Sequence, residues 1–367
     1  MSRQKANFSW LSQLAIPLIA LTLLLLFNLI RDPSFFDIRV LVNNNGNKVL
    51  SGNIISIIDS ASELAIIAMG MTLVTASCGG QDISVGTVGA ISGAVFVKVL
   101  LQWVGKITVP SVLLALLVCC AVTILFKLFN GTLVAVFKIQ PMIATLILYS
   151  CGRSIAYWIN GSANPQLNSP IISAIGLTIP GIPIPTPVFA VVFVGLILFV
   201  IFRFTNISIY TQTVGINQGA ARLIGINPVV IKLLSFALLG VCVSVASVIG
   251  VSRMGNLSHK TLLVDIEMDA ILAVAIGGNS LSGGRFRISG SILGAYVIQM
   301  LTTTLNAMIT DHPEYIKASK ALVIIIIVVA GSPVVKRAFE MLVNYIRAGR
   351  NTKTAKSGGE RNDDAAI

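Results

Sequence analysis

The chain has 367 residues, 55% of them hydrophobic and 11% charged, with a mean hydropathy of +0.89. A soluble domain carries about 25% charged residues, so this balance excludes a water-covered globule of this size and requires a lipid-facing surface. The net charge of +12 does not indicate nucleic acid, because the basic residues are scattered through short loops and a tail with no aromatic platform between them. It fits a basic bias of cytoplasmic loops and contact with anionic lipid.

A helix needs about 20 apolar residues to cross the hydrocarbon core. Ten spans are expected, at 11–30, 54–76, 83–104, 109–129, 139–159, 187–203, 229–253, 268–282, 286–309 and 318–335. The fold class is an all-α polytopic membrane protein of about ten transmembrane helices. Residues 1–10 are expected to form a cytoplasmic N-terminus, 11–335 the transmembrane domain, and 336–367 a basic, largely disordered cytoplasmic tail.

At the N-terminus a basic start (Arg3, Lys5) precedes the apolar run Leu14 to Ile30. That run is too long for a signal peptide and lacks a small-residue cleavage site before Arg31-Asp32-Pro33, so it reads as an uncleaved first span. The outer segment 31–53 is rich in asparagine (Asn43, Asn44, Asn45, Asn47), which the sequence alone does not explain. On the second span, Asp59 and Glu63 are four residues apart and share one face. They lie near its outer end, and either face the interface or belong to a pathway.

Next comes Gly79-Gly80-Gln81-Asp82-Ile83-Ser84-Val85-Gly86, where two glycines, an acid and a serine interrupt apolar sequence. Backbone leaves the helix at membrane depth only where it lines a cavity or is buried in protein. One reading is a capped break, with Ser84 as N-cap of the next span and Asp82 binding its free N–H groups. A compatible one is a broken helix along the path of a polar solute, with Gly79, Gly80, Asp82 and Ser84 as candidate path residues. Further on, Arg153 near the outer end of the fifth span is expected to snorkel. The outer loop 160–186 with the adjacent Pro187 holds six of the thirteen prolines, which argues for a structured loop and against a regular helix.

On the inner side, Gly215 to Pro228 reads as a short amphipathic helix. Asn217 caps it, Gly225 ends it, and Pro228 can start the next span. Small residues at 219–221 allow another protein to approach closely, and such a helix can fit a groove in a soluble partner. An ordinary connecting loop is the plainer alternative. The candidate coupling residues are Gly215, Asn217, Ala220, Ala221, Arg222, Gly225, Asn227 and Pro228.

In the eighth expected span, Glu267 and Asp269 sit at the helix start, where the dipole favours acids. Arg285 and Arg287 anchor its inner end. Its glycine-rich end, Gly277-Gly278-Asn279-Ser280-Leu281-Ser282-Gly283-Gly284, echoes Gly79 to Gly86, and each follows an apolar stretch. The echo indicates two pseudo-repeated halves, with chance similarity of glycine-rich turns as the competing reading. It adds Gly278, Asn279 and Ser280 as candidate path residues.

An even span count puts both ends on one side. If that side is the cytoplasm, 16 of the 26 basic residues are inside, Lys127 and Lys232 among them, while Asp265 and Glu267 are outside. This supports cytoplasmic termini. The five cysteines read as small buried hydrophobes, and two distant histidines give no metal site. No cofactor is expected. There is no phosphate-cradling G-x-x-x-x-G-K-[ST], no G-x-S-x-G and no H-E-x-x-H, so the chain reads as a non-enzyme whose ATP-derived energy comes from another chain.

Taken together, the motifs resemble the permease subunits of ribose, xylose, arabinose and galactose type ABC importers. Gly79 to Gly86 resembles that family's G-G-I-D-L-S-V-G. Met268 to Gly284 resembles its L-D-A-I-x-A-V-x-x-G-G-x-S-L-x-G-G, and Gly215 to Pro228 its G-x-N-x-x-A-A-x-x-x-G-I-N coupling segment. Phe129 to Ala135 and Lys138 to Leu146 extend the likeness, which spans about residues 50–335. Gly284-Arg285-Phe286, Gln299-Met300 and Asn168-Ser169-Pro170 look most like the galactofuranose branch. Gln81 stands where the family has isoleucine, Asp82-Ile83 replaces Asp-Leu, and Cys78 is an extra residue before the glycines.

The resemblance implies a pore-forming permease of the bacterial inner membrane that imports a monosaccharide. It implies pairing with a second permease copy or a paralogue, and delivery by an extracytoplasmic sugar-binding protein. Separate ABC-type ATPase subunits would dock on Gly215–Pro228, and the two glycine-rich breaks would lie near the path. An ion-coupled secondary transporter using Asp59, Glu63 and Asp82 is the alternative.

Overall fold

The computed structural model describes residues 14–42, 48–161, 163–309 and 313–331. The expected N-terminal segment 1–10, the asparagines at 43–47 and the tail 336–367 lie outside the described residues. The chain divides into two compact units, Met1–Ile316 and Lys317–Ile367.

The first helix, α1 (Ala15–Arg31), ends at Asp32, whose Oδ1 accepts the Ser34 N–H at 3.0 Å and starts a 3-10 turn over Pro33–Phe36. A small antiparallel hairpin follows, β1 (Arg39–Val42) against β2 (Lys48–Ser51), with Arg39 opposite Ser51.

The remaining helices are α2 (Asn53–Cys78), α3 (Val85–Lys98, continued by a π-helical turn Val99–Val104), α4 (Val109–Ala135), α5 (Pro141–Ile159), α6 (Pro170–Gly176), α7 (Thr186–Phe204), α8 (Ile207–Ile216), α9 (Gln218–Leu223), α10 (Pro228–Met254), α11 (Ile266–Ile276), α12 (Ile288–Met308) and α13 (Pro313–Gly331). Among the described residues, α2, α3 with its π turn, α4, α5, α7, α10 and α12 are long and apolar enough to cross a membrane, and α1 is a shorter apolar helix.

Two expectations change. The span expected at 268–282 is the 11-residue α11, about 16 Å long at 1.5 Å per residue and about half the hydrocarbon thickness. The apolar run is stopped at Ile276 by Gly277-Gly278. The proline-rich loop does contain a helix, α6, because Pro170 occupies its first position, where the missing N–H costs nothing. Within 215–228 the expected short helix is α9, capped by Asn217, and a further helix, α8, ends just before it at Ile216. The expected span 318–335 corresponds to α13, described through Gly331.

The core lies around α2, in which every residue from Leu64 to Ser77 is buried. A helix apolar all round belongs inside a bundle. Its antiparallel neighbour is α10: Gly70 packs on Leu239 and Cys242, while Asp59 meets Arg253. By contrast α4 exposes Leu113, Leu117 and Leu125, and α7 exposes Val192, Phe193, Leu196 and Phe199. Exposed apolar stripes on helices this long are surfaces suited to lipid. All five cysteines are free thiols; Cys119 and Cys242 are buried.

Candidate functional site

The first break opens where α2 ends. Gly79 adopts φ 64°, a left-handed conformation that glycine takes without strain, and its N–H bonds the Thr75 carbonyl at 3.1 Å. Asp82 Oδ1 then accepts the Ser84 N–H at 2.8 Å and the Ser84 hydroxyl at 2.7 Å. Its Oδ2 accepts Lys127 Nζ at 2.8 Å. Ser84 Oγ also accepts Lys127 Nζ at 3.0 Å and Asn130 Nδ2 at 2.9 Å. One hydroxyl thereby uses its donor and both lone pairs. All four side chains are 0% exposed, and such a pair is tolerable in a low-dielectric interior only because its hydrogen bonds are made. Ile83 N–H reaches Thr145 Oγ1 at 3.2 Å, and Gly80 packs on Pro141, so α4 and α5 hold the break from two sides.

Two expectations are corrected here. Ser84 stands at the N-cap position of α3, but its hydroxyl makes no capping bond because Asp82 takes it. Lys127, counted among the basic residues of the inner side, is fully buried: α4 runs to Ala135, which sets Lys127 two turns inside the helix. A lone lysine in an apolar run was the available signal. Asn130 and Glu267 were likewise missed as buried groups. Glu267, expected outside, is 2% exposed and packs against Gly86, its Oε2 without a hydrogen-bond partner.

The second break follows α11 and is stapled by Asn279. Its Nδ2 donates to Ser291 Oγ at 2.9 Å and to the Val274 and Arg287 carbonyls at 3.2 Å, and its Oδ1 accepts the Arg287 N–H at 2.7 Å. Ser291 Oγ lies 2.6 Å from Thr72 Oγ1, which links this break to α2. Gly278 and Ser280 are half-buried beside it.

The two breaks meet. Gly284 donates its N–H to the Ala76 carbonyl at 3.0 Å, and Gln81 Nε2 donates to the Leu281 carbonyl at 3.3 Å. The residue that departs from the family pattern thus makes a bridging contact. At Gly79 a Cβ would come within 2.7 Å of the Ser282 carbonyl oxygen. Gly215 of α8 seals the junction: a Cβ there would strike the Ala76 carbonyl and lie 2.7 Å from the Gly284 nitrogen. Glycine-only approach of backbone to backbone joins three segments that are far apart in sequence.

Beyond Gly215 the expected punctuation is present. Asn217 Oδ1 accepts the N–H groups of Gly219 and Ala220 at 2.9 and 3.1 Å, capping α9. Gly225 turns the chain with φ 83°. Asn227 Oδ1 accepts the Val229 N–H at 3.0 Å, and Pro228 begins α10. The expected small contact surface differs at one position. Ala221 is fully buried among Val214, Ile226 and Ile231, whereas Ala220 and Arg222 are exposed. The apolar groups presented outward are Leu223, Ile224 and Ile216, exposed by 90%, 68% and 74%.

At the opposite end of α2, Arg253 Nη2 donates to Asp59 Oδ1 at 2.9 Å and to its carbonyl at 3.0 Å. Arg253 Nη1 lies 3.2 Å from Glu63 Oε1. The face shared by Asp59 and Glu63 is therefore turned towards α10. Arg153 does not snorkel: it donates to the carbonyls of His259 and Leu262 at 2.7 and 3.1 Å. His259 lies in the loop between α10 and α11. Burial, then the charges of Lys260 and Arg153, hold its imidazole pKa below the usual value.

Residues 53–330 match the family described as branched-chain amino acid transport system / permease component. The chain is 35% identical over 348 residues to the galactofuranose transporter permease protein of Escherichia coli, covering 95% of this chain and 96% of that protein. It is 33% identical over 329 residues to the fructose import permease protein of Bifidobacterium longum, covering 88% of each. To the ribose import permease protein of Haemophilus influenzae it is 33% identical over 323 residues, covering 85% of this chain and 91% of that one. No solved structure matches the chain. With three quarters of its length on the family pattern and its membrane-length helices packed around paired glycine breaks, the chain belongs to this permease family, a family of multi-pass membrane transport subunits.

Proposed function

We propose that this permease imports a monosaccharide through the bacterial cytoplasmic membrane as the transmembrane subunit of an ABC transporter. A separate ATPase subunit docks on α9, both termini lie on the cytoplasmic side, and a second copy or a paralogue completes the path. A sugar-binding protein delivers the substrate from outside. The galactofuranose, fructose and ribose names of the relatives support a sugar as substrate.

One observation carries the coupling role. A series of contacts runs from α9, whose Ala221 packs on Val214 of α8, through Gly215 of α8 to the Ala76 carbonyl and Gly284, and so to both helix breaks. A push on α9 therefore reaches the Asp82 break and the Asn279 break together. Gly79, Gly80, Asp82, Ser84, Gly278, Asn279 and Ser280 act as the pivots beside the path. An ion-coupled mechanism is less suited to this arrangement, because Asp82 is paired with Lys127, and Asp59 and Glu63 share Arg253.

The test is reconstitution in liposomes with the ATPase and the binding protein. ATP-dependent uptake of a labelled monosaccharide is expected. Uptake by this chain alone, driven by an ion gradient without ATP, would overturn the proposal.

A further inference from the structure

On the Arg253 side of the bundle a cavity of about 300 Å³ lies between α2, α10, α11 and α12. Its polar lining comes from Ser60, Glu63, Arg253, Thr261, Asp269 and Gln299, and Leu64 and Leu262 supply an apolar wall. Two of its groups are incompletely satisfied. Glu63 Oε1 makes only the 3.2 Å ion-pair contact with Arg253 Nη1, and Arg253 Nε is buried without a hydrogen-bond partner. Buried polar atoms left unpaired are costly and rare, and each calls for an explanation.

We infer that this cavity is a monosaccharide-binding station, an inference that rests on the sugar-import reading above. The chemistry of the lining matches a sugar ring, which offers hydroxyl groups along its edge and C–H groups on its face. Glu63 accepts from hydroxyls, the Arg253 guanidinium donates to one, and Gln299 and Thr261 do both. Leu64 and Leu262 receive the C–H face. Small-molecule sites run from about 300 to 1,000 Å³, so the cavity is at the single-ring end of that range. An ion-pair clip between α2 and α10 would need neither Gln299 nor Thr261 facing the space.

The station is tested on the purified permease in lipid nanodiscs by saturation-transfer NMR, with D-galactose, D-ribose, D-fructose and maltose as probes. At least one monosaccharide is expected to receive saturation and maltose none. Gln299→Leu and Glu63→Gln, each checked for an unchanged melting temperature, are expected to weaken that binding about tenfold, the loss of one good polar contact. Thr261→Val, the least disruptive change, is expected to weaken it by a smaller factor and keeps the test decisive if either of the others fails to fold. Absence of transfer from all three monosaccharides, or undiminished binding in the folded variants, overturns the station. Uptake by the complete importer separates the two readings. ATP-driven import with wild-type KM in the variants removes the station and leaves the function standing. Absence of ATP-driven uptake of any monosaccharide by the wild type removes the function and the station with it.

Discussion

Lys127 Nζ lies 2.8 Å from Asp82 Oδ2 with both side chains fully buried, and Ser84 Oγ bonds to each of them. This pair ties the middle of α4 to the break after α2, so the break is a charge-locked joint and not a flexible gap. The lock is local, while the Gly284 N–H bond to the Ala76 carbonyl joins the two breaks.

Breaking the lock on one side should be worse than removing it. Asp82→Asn and Lys127→Met are each expected to cost about 3–5 kcal/mol, since each leaves an uncompensated buried charge or its unpaired ligands. The double variant is expected to recover part of that loss. Thermal unfolding of the detergent-solubilised protein reads this, and strictly additive losses would show that the two side chains do not act as a pair.

Gly215→Ala adds a methyl group where the Ala76 carbonyl already sits. The expected cost is about 1–3 kcal/mol of overpacking, together with a loss of sugar uptake larger than the loss of ATP hydrolysis. Parallel assays of the assembled transporter measure both rates. A variant with normal uptake would show that the α8 junction transmits nothing.

The α9 surface separates docking from folding. Leu223→Glu changes a side chain that is 90% exposed and Ala221→Glu one that is 0% exposed. Leu223→Glu is expected to leave the melting temperature unchanged and to reduce co-purification of the ATPase. Ala221→Glu is expected to destabilise the permease itself, through a buried charge without a partner. Pull-down with melting curves for both variants decides the matter, and undiminished ATPase recovery with Leu223→Glu would move the docking surface elsewhere.

Asn217→Ala removes the acceptor for two N–H groups of a six-residue helix. A loss of about 1 kcal/mol is expected, felt locally as faster amide exchange at Gly219 and Ala220. Asn217→Asp, which keeps the acceptor, is expected to exchange as the wild type does.

What the amino-acid order determined by itself was local. Apart from the end of α4, the short α11 and the unforeseen α6, apolar run length located the membrane-length helices to within a few residues, and Asn217, Gly225 and Pro228 marked the inner segment because caps and turns act within three or four residues of themselves. The same reasoning placed Asp82 against the Ser84 N–H, two residues away. Tertiary structure alone decided the rest. It chose Lys127 as the partner of Asp82, turned Ala221 inward and Leu223 outward, buried Glu267, and brought Gly284 onto Ala76. The residues of those pairs are separated by whole helices. In a chain apolar on nearly every face, hydrophobic periodicity does not say which face meets protein and which meets lipid, and only the packing of one helix on another distinguishes them.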